Sequence, residues 1–86
     1  MNINKLIAIV KNKLEMEIII QELIVEDKSF LHKNHKGHQE GKFHLKLIIS
    51  SDELAKTSKI NSTKKIYSVL NLELKEYIHS IQILFN

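Results

Sequence analysis

No cysteine, proline, tryptophan or arginine occurs in this 86-residue chain, and it has only two glycines. Without cysteine it can supply no disulfide, no nucleophilic thiol and no thiolate metal ligand. Without arginine, all 13 basic residues are lysine. Lysine neutralises phosphates as a point charge but lacks the forked guanidinium that reads guanine. The net charge of +3 therefore reads as a solvated lysine surface with at most weak, non-specific affinity for nucleic acid. The lack of proline removes the strongest linker signal, and a chain this short is expected to form one domain over residues 1–86.

Catalytic patterns are missing too. Gly37 and Gly41 precede an alternating apolar run rather than a helix, so they form no phosphate-cradling loop. No G-x-S-x-G elbow surrounds Ser29, Ser50 or Ser51. Glu26 and Asp27 are adjacent, and in a strand they would face opposite ways instead of forming an acid–base pair. The expectation is a protein that is not an enzyme. No apolar run approaches the roughly 18 residues of a membrane span. Lys11, Lys13 and Glu15 interrupt the N-terminal stretch, where a signal peptide would need an unbroken apolar segment and a small-residue cleavage site. A cytoplasmic location without membrane association is expected.

What is present is a globular mix, 43% hydrophobic and 27% charged. Ile3, Leu6, Ile7, Val10 and Leu14 recur at helical spacing and predict an amphipathic first helix. Of the runs Ile18–Ile20 and Leu23–Val25, at least the second should be a strand ending near Glu26 and Asp27. Residues 28–42 form a polar loop. Phe43, Leu45, Leu47 and Ile49 alternate with His44, Lys46 and Ser50, a second strand with one buried face and Ile48 on the other. Ser51 or Asp52 offers a cap to a short helix. Lys56–Ser62 reads as irregular, with Asn61 or Ser62 capping a further helix whose buried stripe is Ile66, Tyr67, Leu70 and Leu74. Lys64, Lys65, Glu73 and Lys75 are placed outside. Ile81, Ile83 and Phe85 alternate with Ser80 and Gln82, a last strand. The order α-β-β-α-α-β predicts an α/β (α+β) fold, a mixed sheet with helices on one face. Leu45, Leu47, Ile66, Leu70, Leu74, Ile81 and Ile83 should share one core.

Four of the five histidines lie between residues 32 and 44. His32, His35 and His38, at i, i+3 and i+6, are a candidate ligand set for a borderline metal such as zinc or nickel. The plainer reading is a polar loop that is rich in histidine, because a histidine-only site has no thiolate or carboxylate anchor. His79 stands apart at the start of the last strand, where a half-buried edge residue is the ordinary reading.

Several segments carry a family resemblance. Asp27-Lys28-Ser29-Phe30-Leu31-His32-Lys33-Asn34-His35-Lys36-Gly37 is similar to the D-x-S-x-x-H-x-x-H-x-G segment of BolA-like proteins. Phe43-His44-Leu45-Lys46-Leu47-Ile48-Ile49-Ser50 resembles the family's H-F-x-V-x-I-V-S strand. Leu72-Glu73-Leu74 and Ile78-His79-Ser80-Ile81 resemble its L-x-x-E-L and V-H-A-L segments. The match spans nearly the whole chain.

This resemblance implies a three-stranded mixed sheet in a class II KH-like arrangement. It also implies complex formation with a monothiol glutaredoxin, with or without a bridging 2Fe–2S cluster, in iron–sulfur cluster maturation, trafficking or iron signalling. The family's cluster-side histidines map onto His79 and His32, with His35 and His38 as alternatives on the same loop. The thiolates would come from the glutaredoxin and glutathione, and the isolated chain would be a monomer without cofactor. Replacing thiolate by imidazole on one iron is known chemistry. The alternative the family implies is a KH-like DNA-binding transcriptional regulator of stress response and morphology, with Lys64 and Lys65 as weak nucleic-acid contacts. Two departures bear on it. Leu54 and Lys56 stand at the family's F-x-G, and Ser62-Thr63-Lys64 stand at its R-H-R. The turn from Ala55 to Ser62 also has no glycine, whereas a KH domain uses G-x-x-G to bring backbone close to nucleic acid.

Overall fold

A computed structural model describes residues 1–29 and 42–86. Helix α1 (Ile3–Glu17) opens on Asn2, whose side-chain oxygen accepts the Lys5 N–H at 2.8 Å. That bond satisfies one donor left over at the helix start. Leu6, Val10 and Leu14, four residues apart, form its fully buried stripe. The chain leaves the helix at Ile18 and enters β1 (Glu22–Asp27).

Strand β1 pairs antiparallel with β2 (Phe43–Ser50), and β2 pairs parallel with β3 (Ile78–Phe85), giving the order β1-β2-β3. The parallel pair needs a crossover. Helices α2 (Asp52–Ala55), α3 (Lys59–Val69) and α4 (Asn71–Glu76) provide it. On the core face the register aligns Leu23 with Ile49, Val25 with Leu47, Leu45 with Ile81, Leu47 with Ile83 and Ile49 with Phe85. These residues join Leu6, Val10, Leu14, Ile66, Leu70 and Ile78 in one apolar cluster. The expected core is present: Leu45, Leu47, Ile66 and Leu70 are buried, while Leu74, Ile81 and Ile83 are partly buried against them.

Ser51 is the cap of α2. Its hydroxyl accepts the Leu54 N–H at 3.1 Å and donates to the Ile19 carbonyl at 2.7 Å. Glu53 continues this join. Its carboxylate accepts the Ile19 N–H and the Lys65 ammonium, each at 3.3 Å. The backbone bond first, and Lys65 second, hold its carboxyl below the ordinary value. A depressed carboxyl pKa contributes stability above the ordinary carboxylate range and loses it as pH falls through the lowered value. Glu53→Gln should therefore lower the urea midpoint slightly at neutral pH, and the gap should close as acid titration passes through that range.

The crossover corrects four sequence expectations. Helix α3 begins earlier than expected, after Ser58, whose hydroxyl accepts the Asn61 N–H at 3.1 Å. Ser62 is not a cap but lies inside the helix, buried, donating to the Leu54 carbonyl at 3.1 Å. The inward stripe is Ser62, Ile66, Leu70 and Glu73, with Tyr67 43% exposed. Glu73, expected outside, is 3% exposed. The chain bends at Leu70, which ends α3 and precedes α4.

The buried Glu73 is compensated by α1. Lys13 donates to Glu73 Oε2 at 2.6 Å, while Oε1 is buried with no hydrogen-bond partner among the described residues. Lys13→Met should leave a buried carboxylate without its cation and cost about 1–3 kcal/mol. Adding Glu73→Leu to that variant should recover much of the loss, since replacing both partners by apolar groups is often nearly neutral. A chemical-denaturation cycle over the four chains measures this.

Candidate functional site at the bulged end of the sheet

The strand directions bring three segments to one end of the sheet: the exit of β1, the start of β2 and the start of β3. Ser29 and Lys42, the described residues on either side of 30–41, lie at this end. Both flanks are tied down. Asp27 Oδ1 accepts the Ser29 N–H at 2.9 Å, a local turn typical of aspartate. The Ser29 hydroxyl accepts the His44 N–H at 3.0 Å, and the Lys28 N–H donates to the His44 carbonyl at 2.7 Å. On the returning side, the Phe43 N–H donates to the Tyr77 carbonyl at 2.9 Å.

The parallel register shifts here. Phe43 lies opposite Ile78 and His44 opposite Ser80, which makes His79 the inserted residue of a β-bulge. The bulge resolves a parity conflict. Ile78 is buried in the core and Ile81 is packed against it, yet residues three apart on a regular strand face opposite ways. One inserted residue lets both point inward and leaves His79 and Ser80 together, both exposed. His79 is thus an exposed bulge residue, not the half-buried edge residue that strand alternation suggests.

Beside it sits His44, 5% exposed. The two ring centroids are 4.9 Å apart with planes tilted by 55°. His44 Nδ1 and Ser80 Oγ share a hydrogen bond of 2.6 Å, its direction set by which ring nitrogen carries the proton. A groove of about 330 Å³ runs past this pair, lined by Lys28, His44, Leu45, Lys46, Ser80, Ile81 and Gln82.

His32, His35 and His38 lie outside the described residues. Among those described, no group of three or more His, Cys, Asp or Glu could hold a metal ion. The chain has no thiolate, and His79 carries an exposed imidazole. Lys64 and Lys65 lie on α3, and Lys65 is paired with Glu53 at 3.3 Å. Lys64 lines a separate open groove of about 660 Å³ with Lys59, Ile60, Thr63 and Tyr67. Among the described residues no helix is long and apolar enough to cross a membrane.

Sequence reasoning assigned no role to His44. A signal was available: His44 has the outward parity of β2, and the spacing of Ile78 and Ile81 demands an insertion beside it.

Known proteins show the same architecture. The BolA domain of SufE1 from Arabidopsis thaliana superposes with a TM-score of 0.75 at 35% identity, covering 90% of this chain and 85% of that one. BolA1 from Arabidopsis thaliana superposes with a TM-score of 0.76 at 23% identity, over 91% and 86% of the two chains, a likeness of fold. In sequence, the "DNA-binding transcriptional regulator BolA" of Haemophilus influenzae is 30% identical over 73 residues, 85% of this chain and 68% of that protein. SufE-like protein 1, chloroplastic/mitochondrial, of Arabidopsis thaliana is 34% identical over 79 residues, which is 86% of this chain but 21% of that protein. The sequence profile of the family described as BolA-like protein matches residues 14–85, and the chain belongs to the BolA-like family.

Proposed function

We propose that this chain is a non-enzymatic binding protein that joins a monothiol glutaredoxin, with or without a bridging 2Fe–2S cluster, and acts in iron–sulfur cluster maturation, trafficking or iron signalling. The observation that carries the reading is the bulge at His79. It leaves an imidazole exposed at the end of the sheet that holds Ser29 and Lys42, the residues flanking 30–41. A chain without cysteine cannot hold such a cluster alone, so thiolates from glutaredoxin and glutathione complete the set. His79 is one ligand from this side. His32 is the second, with His35 and His38 the competing positions on the same segment. The cytoplasm, a reducing compartment, suits this chemistry.

Anaerobic reconstitution with a monothiol glutaredoxin, glutathione, iron and sulfide tests it. A 1:1 heterocomplex on gel filtration, with a visible circular dichroism spectrum unlike that of the glutaredoxin alone, is the expected result. A glutaredoxin spectrum unchanged by the added chain, with separate elution, contradicts it.

A second reading, DNA binding, draws on the printed name of the Haemophilus influenzae relative. Its electrostatic basis here is limited, since Lys65 is already paired with Glu53. Any affinity should be sequence-tolerant and fall steeply with salt, by a log–log slope of about 0.9 per phosphate neutralised. Lys64→Ala should make that slope shallower by about 1. A preference of about 10³-fold or more for one site would favour the regulator reading instead.

A further inference from the structure

We infer that His44 is a positioning residue for His79, fixing the direction in which the bulged imidazole is presented; this rests on the ligand role proposed above for His79. His44 is clamped at both backbone atoms. Its N–H donates to the Ser29 hydroxyl at 3.0 Å, and its carbonyl accepts the Lys28 N–H at 2.7 Å. Its ring is clamped as well, by the 2.6 Å bond between Nδ1 and Ser80 Oγ, and it is 5% exposed. With its backbone fixed at two atoms and its buried ring bonded through Nδ1, His44 presents a fixed wall. His79 is exposed, and its ring lies against that wall at 4.9 Å with a 55° tilt.

The need for such a wall follows from the bulge. An inserted residue lies outside the regular ladder, where strand geometry no longer dictates which way its side chain points. An imidazole ligand must present its nitrogen within a narrow range of directions, and neighbours that orient a ligand commonly contribute tenfold to a hundredfold to metal affinity. His44 supplies the orientation that the bulge removes. Ser80 is opposite His44 in the register and next to His79 in the chain, so one hydroxyl couples the wall to the bulge. Asp27 and Ser29 extend the same network to the root of residues 30–41.

The test uses the full chain and three variants. Ser80→Ala removes the hydroxyl bonded to His44 Nδ1 at a residue that is itself exposed, and should leave the fold unchanged. His44→Phe keeps a ring but loses Nδ1. His44→Asn keeps a polar atom near the Nδ1 position but removes the ring from His79. The first readout needs no cluster: ring order of His79 in the isolated chain, from carbon-13 relaxation of selectively labelled histidine. The second is the lifetime of the mixed cluster with glutaredoxin, followed by visible circular dichroism. Ser80→Ala and His44→Phe are expected to increase His79 ring motion and shorten the lifetime about tenfold. His44→Asn is expected to do both more strongly. Unchanged His79 ring order in Ser80→Ala and His44→Asn would overturn the inference, as would looser rings with an unchanged lifetime. If the wild-type chain forms no mixed cluster, the proposed function fails instead, and the ring-order result in the isolated chain still decides whether His44 orients His79.

Discussion

Leu70→Ala is expected to destabilise the protein by about 2–5 kcal/mol, the range for a fully buried leucine whose truncation leaves a cavity. Leu70 is 0% exposed and stands at the bend between α3 and α4. Its N–H donates to the Ile66 carbonyl at 3.0 Å, and its carbonyl accepts the Leu74 N–H at 2.8 Å. The side chain therefore packs the core at the point where the backbone changes direction. Native domains retain only about 5–15 kcal/mol in total, and this one is small, so a loss of that size should be visible as a large fall in the urea midpoint. A near-neutral effect with an unchanged denaturant slope would contradict the packing described for this bend.

His79→Ala should produce the opposite profile. The side chain is exposed on a bulge and its ring meets His44 rather than the core, so the stability cost should be small, on the order of 0.5 kcal/mol. The mixed cluster should nevertheless lose its spectroscopic signature, or dissociate at least about tenfold faster. His32→Ala should alter the spectrum more than His38→Ala. Equal effects for these two would remove the preference for His32 as second ligand while leaving His79 in place.

The contrast between these two positions explains what the sequence made legible. The strands were readable because Phe43–Ile49 and Ile81–Phe85 alternate cleanly and match in register. The first helix was readable from Leu6, Val10 and Leu14. The stripe of the crossover was not, because half of it is polar. Ser62 is satisfied by the Leu54 carbonyl and Glu73 by Lys13, partners 8 and 60 residues away. A polarity pattern cannot show a bond over that distance, and so it favours Tyr67 and Leu74 over Glu73 for the inner face. At the candidate site, the family resemblance singled out His79, whereas its exposure depends on the bulge. The parity of His44 on the outward face of β2 was readable, but only the parallel pairing of β2 with β3 sets its ring beside His79.

The most direct measurement is pulsed electron paramagnetic resonance on the reduced heterocomplex prepared with nitrogen-15 histidine in this chain alone. Imidazole ligation from this chain predicts a strongly coupled nitrogen-15 signal whose amplitude falls in His79→Ala. A reduced cluster with no such coupling, or with a coupling unchanged by His79→Ala, would contradict His79 as a ligand and leave the chain bound to glutaredoxin by surface contacts only.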